Sequence, residues 1–149
     1  MKLTCSSKAI WQLYCVVLLL ALTFGSSIAW WPNQPLKKNF VRIINNLNNG
    51  ETLNFRCQSK DDDLGVRSLA INEQFEFGFR VNLFGRTLYF CNLWYLNKHA
   101  VFDAFKPTMD FKAECGGSHH CIWTAKEDGI YLLNVSTNEN IMKYVWENN

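Results

Sequence analysis

The hydrophobic and polar positions of this chain alternate in short runs, most clearly from Gln74 to Phe84. There Phe75, Phe77, Phe79, Val81 and Leu83 take every second position, with Glu76, Gly78, Arg80 and Asn82 between them. Successive side chains of a strand point to opposite faces, so the segment predicts a strand buried on one face and wet on the other. Thr52 to Ser59 reads the same way, with Leu53, Phe55 and Cys57 on one side and Asn54, Arg56 and Gln58 on the other. Phe40 to Asn46 predicts a first strand, and Asn49-Gly50 a turn, because both residues tolerate positive φ. Thr87 to Leu96 is apolar on both faces, as a central strand would be, with turns at Gly85-Arg86 and Asn97-Lys98. Ala100 to Phe105 predicts another strand, Ile122 to Ala125 and Ile130 to Val135 a hairpin about Asp128-Gly129, and Asn140 to Trp146 a last strand. No stretch from Phe40 onward keeps a 3.6-residue period. The expectation is an all-β, antiparallel β-sandwich of seven or eight strands rather than a barrel.

The first residues follow another logic. Lys2 and Lys8 precede an apolar run from Cys15 to Phe24, and Ser27-Ile28-Ala29 places small residues where a signal peptidase cuts. The run is about ten residues, against the roughly twenty that a membrane span requires. Residues 1–29 are therefore read as a cleaved signal peptide and residues 30–149 as one sandwich domain, with no stable membrane insertion after cleavage. Trp30 to Asn39 contains two prolines and no period, so it reads as a lead-in lying over the domain or staying loose.

Charge and cysteine content support that division. The chain has 15 basic and 13 acidic residues, and removing Lys2 and Lys8 leaves 13 against 13. A net charge near zero gives no support for nucleic-acid or anionic-membrane binding. Cys5 and Cys15 leave with the signal peptide, while Cys57, Cys91, Cys115 and Cys121 remain. In an oxidising compartment those four are expected to form two disulfides, in any of three connectivities. Asn134-Val135-Ser136 is a glycosylation sequon that the secretory route makes usable.

Other clusters invite chemistry and yield simpler readings. Lys60-Asp61-Asp62-Asp63-Leu64-Gly65 lacks the alternating ligands and distal glutamate of a calcium loop; it reads as an acidic loop, with one Asp accepting backbone N–H bonds and Gly65 at positive φ. Cys115 to Cys121 (CGGSHHC) carries the ligand types of a zinc site, but adjacent histidines cannot easily aim at one ion, and secreted cysteines are more often oxidised than metallated. His99, His119 and His120 sit in no nucleophile motif, so no catalytic residue, metal ligand or cofactor is assigned. Trp94 and Trp123 lie within strand runs and are expected between the sheets; Trp30 and Trp31 are expected to tuck onto a sheet edge.

Taken together, the segments Val41 to Leu47 (VRIINNL), Cys57 to Gly65 (CQSKDDDLG), Phe75 to Phe79, Thr87 to Cys91 (TLYFC), Cys121-Ile122-Trp123 and Glu127 to Tyr131 (EDGIY) resemble the plant self-incompatibility protein homologue family, over nearly all of residues 30–149. The resemblance implies a secreted β-sandwich; the absence of a nucleophile or phosphate-binding motif adds the expectation that it is not an enzyme. It also implies an extracellular (apoplastic) recognition or signalling ligand of a cell-surface receptor protein, acting in pollen–pistil recognition or in other cell–cell signalling. Fold resemblance alone does not carry function. The competing classes are a secreted hydrolase or ribonuclease, which would depend on His99, His119 or His120, and a defence-related carbohydrate-binding module.

Overall fold

The computed structural model describes residues 7–25, 37–82 and 84–148. Two units divide it, residues 1–35 and residues 36–149. In the first, α1 spans Ser7–Gly25 and contains the apolar run. Among the described residues no helix is long and apolar enough to cross a membrane. The cleavage position after Ala29, and Trp30 and Trp31, lie outside the described residues.

The described residues of the second unit hold ten strands: β1 (Lys38–Asn45), β2 (Leu53–Gln58), β3 (Asp63–Leu69), β4 (Gln74–Arg80), β5 (Tyr89–Tyr95), β6 (Lys98–Phe105), β7 (His120–Lys126), β8 (Gly129–Asn134), β9 (Glu139–Tyr144) and β10 (Glu147–Asn148), with helix α2 at Met109–Glu114. They form two five-stranded sheets, in the orders β4-β1-β7-β8-β9 and β10-β6-β5-β2-β3. Every pairing is antiparallel except β1 with β7, which run parallel from Phe40 beside His120 to Asn45 beside Ala125. The sandwich expected from the alternation is the observed architecture. Its sheets carry two strands, β3 and β10, that the pattern does not announce.

The inward positions of both sheets make one core. Val41 and Ile43 of β1, Phe55 of β2, Leu93 of β5, Trp123 of β7 and Ile130 and Leu132 of β8 are fully or almost fully buried. Each such aliphatic or aromatic side chain contributes about 1.5–3 kcal/mol by leaving water. Trp123 packs 4.6 Å from Phe102 between ring centroids, and its indole N–H donates to the Ala104 carbonyl at 3.0 Å, so burial leaves no polar atom of that ring unpaired. Asn45 is buried as completely and is equally satisfied: its amide donates to the carbonyls of Glu51 and Leu69, and its Oδ1 accepts from the Leu47 N–H.

Several sequence expectations shift by a residue or more. β4 ends at Arg80, because the chain turns at Asn82; as an edge strand it leaves Phe75, Phe77 and Phe79 half-buried. The turn between β5 and β6 is Leu96-Asn97, with Lys98 already in the strand, and the β7–β8 turn is Glu127-Asp128. Trp94 is not between the sheets. Tyr89, Cys91, Leu93 and Tyr95 take the inward positions of β5, so Trp94 falls by parity on the outer face.

Candidate recognition surface

At one end of the sandwich, the β2–β3 and β4–β5 connections enclose a cavity of about 390 Å³. The first wall is the acidic segment after β2. The Ser59 hydroxyl accepts from the backbone N–H groups of Asp61 and Asp62, and the Ser59 N–H donates to the Asp62 carbonyl at 2.7 Å. That tight turn presents both carboxylates. Asp62 accepts from the Tyr89 hydroxyl at 3.0 Å, while Asp61 has no ion pair among the described residues.

Asp63 does different work. It pairs with Arg56 of the adjacent strand and its Oδ1 accepts from the Gly65 N–H, so the cluster ends in a strand bulge rather than a metal loop. Gly65 sits at φ 70, the left-handed geometry such a bulge needs. The hydrogen bonds from Arg56 and then from the Gly65 N–H hold the Asp63 carboxyl well below the usual carboxylate range.

The facing wall is organised by Asn82. Its N–H donates to the Thr87 hydroxyl at 2.9 Å, its Oδ1 accepts from the Arg86 N–H at 2.7 Å, and its carbonyl accepts from the Gly85 N–H at 2.9 Å. This knot displays Phe84, 82% exposed, beside Arg80 and Arg86. Neither arginine has an ion pair among the described residues. Tyr89 closes the floor, with its ring 4.4 Å from Phe79 and its hydroxyl on Asp62; burial above all holds its phenol above the usual value. Two guanidinium groups, two carboxylates and an exposed phenylalanine thus face one opening. They suit a polypeptide segment bearing charges of both signs.

The expected site residues fall elsewhere. Cys57 and Cys91 are cross-strand neighbours on β2 and β5 and are joined by a disulfide; Cys115 and Cys121 close a local loop of sequence separation 6. Both thiols of the CGGSHHC segment are thereby occupied, and its histidines diverge. His119 Nδ1 lies 3.3 Å from Asn39 Oδ1, while His120 stacks on Phe40 at 4.5 Å and lies 3.3 Å from Glu76. His99 on β6 is 3.6 Å from Glu147. The three imidazoles answer to three different partners.

Asn134 ends β8 in a tight corner. Its Oδ1 accepts from the N–H groups of Ser136 and Thr137 and from the Ser136 hydroxyl at 2.7 Å, and its amide lies 3.4 Å from the Ala113 carbonyl. Sequence reasoning did not single out Arg80, Arg86 or Asn82. The available signal was Gly85 with Asn82 three residues before it and Arg86-Thr87 after it, a loop knot rather than a simple turn.

The chain matches the family described as plant self-incompatibility protein S1 over residues 40–146. It is 39% identical over 114 residues to S-protein homolog 2 of Arabidopsis thaliana, covering 75% of this chain and 70% of that one, and 36% identical over 107 residues to S-protein homolog 1 of the same plant, covering 72% and 70%. It is 28% identical over 121 residues to self-incompatibility protein S1 of Papaver rhoeas, covering 80% and 82%. A solved structure of SPH (self-incompatibility protein homologue) proteins, described as a widespread family of small, highly stable, secreted proteins from plants, superposes with TM-score 0.59 at 17% identity, covering 76% of this chain and 97% of that one.

Proposed function

Because the chain belongs to the plant self-incompatibility protein S1 family, we propose that it is a secreted extracellular ligand, read by a cell-surface protein through the cavity between the β2–β3 and β4–β5 loops. The observation that carries this reading is the pair Arg80 and Arg86, charged and without an ion pair among the described residues, opposite the carboxylates of Asp61 and Asp62. Unpaired charges at the rim of a rigid scaffold steer and select a partner more than they stabilise the fold. Export is supported by the signal-peptide pattern of residues 1–29, by two disulfides, and by the secreted character stated for the SPH structures. In this reading the protein acts in pollen–pistil recognition or in another cell–cell signal, and needs neither catalysis nor a cofactor. The Asn134 sequon is glycosylated during export, before its corner closes.

Two measurements test the proposal. Intact mass of protein collected from plant-cell medium is expected to give a chain beginning at Trp30, lighter by four hydrogens than its reduced form once glycan is removed. Retention in membranes with Cys15 present would defeat the secretion step. Labelled protein is then expected to bind plant cell surfaces saturably, with at least tenfold weaker binding for the double variant Arg80→Ala, Arg86→Ala at unchanged Tm. Equal binding by that variant would remove the cavity from the reading.

A further inference from the structure

The sheet β10-β6-β5-β2-β3 carries on its outer face a row that crosses all five strands: Ser68, Asn54, Trp94, His99 and Glu147 are successive cross-strand partners. With strands about 4.8 Å apart, such a row is about 19 Å long. Trp94 stands at its centre, half-buried; among the described residues it has no aromatic neighbour and its indole N–H has no hydrogen-bond partner. Four residues before it on the same strand and face, Phe90 is more open, at 38% exposed.

Ion pairs on this face join Arg56 with Asp63 and Lys106 with Asp103 at 2.7 Å, and the Glu147 carboxylate at the end of the row lies 3.6 Å from the His99 imidazole. Around Trp94 itself, what stays unmatched is neutral hydrogen-bonding capacity. Asn92 Oδ1 and His99 Nδ1 are covered atoms without a partner, on half-exposed side chains flanking Trp94 along its strand and across it. An unsatisfied buried polar atom is unfavourable, and a small side-chain rotation toward a ligand hydroxyl would give it the partner it lacks. A partner complementary to this surface has a flat apolar side for the indole, hydroxyls at its edge that both donate and accept, and no net charge. A pyranose ring meets all three requirements, and the row is long enough for several laid end to end.

We propose that this outer face, centred on Trp94, is a binding platform for a neutral oligosaccharide or polysaccharide chain. It is separate from the loop-end cavity, so one molecule can hold a glycan on a sheet face and present its loops elsewhere. Electrophoresis of the secreted protein through gels containing xyloglucan, galactomannan or hydroxyethyl cellulose, with polygalacturonate as the anionic comparison, tests the assignment. Retardation is expected in at least one neutral glycan, with affinity falling at least tenfold in Trp94→Ala and unchanged in Arg80→Ala. As a readout that needs no variant to fold, the same neutral glycan is expected to protect the Trp94 peptide of the wild-type protein from N-bromosuccinimide oxidation. No retardation by any neutral glycan, retardation by polygalacturonate alone, undiminished binding by Trp94→Ala, or protection absent at Trp94 would each overturn the proposal. So would a protein partner whose capture needs Trp94 while no glycan binds.

Discussion

The indole N–H of Trp146 donates to the main-chain carbonyl of Lys126 at 2.7 Å, which fastens the segment between β9 and β10 to the β7–β8 turn. The same ring stands edge-on to Tyr95 at 4.9 Å, in the other sheet. The residue thus links both sheets at one end of the sandwich. Trp146→Ala is expected to destabilise the domain by about 2–3 kcal/mol, less than the loss for a fully buried tryptophan because this one is half-exposed. Urea unfolding at neutral pH checks the value; a change under about 0.5 kcal/mol would mean the tail is not held by this contact.

The two disulfides differ in what they close. Under the chain-entropy relation, a sequence separation of 34 for Cys57–Cys91 corresponds to about 3.8 kcal/mol and a separation of 6 for Cys115–Cys121 to about 2.2 kcal/mol. Paired alanine variants, which leave no lone thiol, are expected to keep that order, the Cys57/Cys91 pair costing more. Thermal melts of the two double variants provide the comparison.

Asp63 links stability to acid. Its carboxyl is held below the usual range by the Arg56 hydrogen bond and then the Gly65 N–H, so its folded-state pKa lies under its unfolded one. A group shifted in that direction adds stability that is complete above about pH 4 and fades as pH falls toward the folded-state value. The pair is exposed and the effect correspondingly small. The Tm of Asp63→Asn is expected to lie slightly below wild type at pH 6 and to converge with it in strong acid. A constant gap across that range would assign the difference to something other than ionisation.

Asn134 is both the sequon asparagine and the acceptor that holds the β8–β9 corner through the Ser136 and Thr137 N–H groups. Asn134→Gln is expected to abolish glycan addition and also to cost about 1–2 kcal/mol through the lost turn. Ser136→Ala abolishes the sequon while sparing both backbone bonds. Peptide N-glycosidase treatment with a mass readout checks the glycan, since wild-type protein should lose mass and neither variant should; urea unfolding separates the two roles, because only Asn134→Gln is expected to lose the corner.

Much of the fold was legible because alternation survives wherever one face is buried, as at Leu53, Phe55 and Cys57. It failed for β3, an edge strand whose Val66 faces solvent and whose course is broken by the Gly65 bulge, so Asp63-Leu64-Gly65 reads as loop. Helix α2 escaped because six residues capped by Thr108 bury only Phe111, too little for a period to register. Trp94 was misplaced because a strand apolar on both faces does not say which aromatics point inward. The cavity lay beyond reach for a different reason: the Ser59 turn and the Asn82 knot are separate in sequence, and only the two sheets bring them to one opening.

The parallel pairing of β1 with β7 sets an order of events. Phe40 must find His120, eighty positions later, before β1 gains its second neighbour, and β7 in turn carries β8 and β9. Synthesis delivers the N-terminus first, so β1 waits with one long edge open until most of the chain has emerged. Contacts this distant slow folding, and an open apolar edge is a template for mispairing. The seam that completes the sheet therefore also fixes when the newborn chain is most in need of protection.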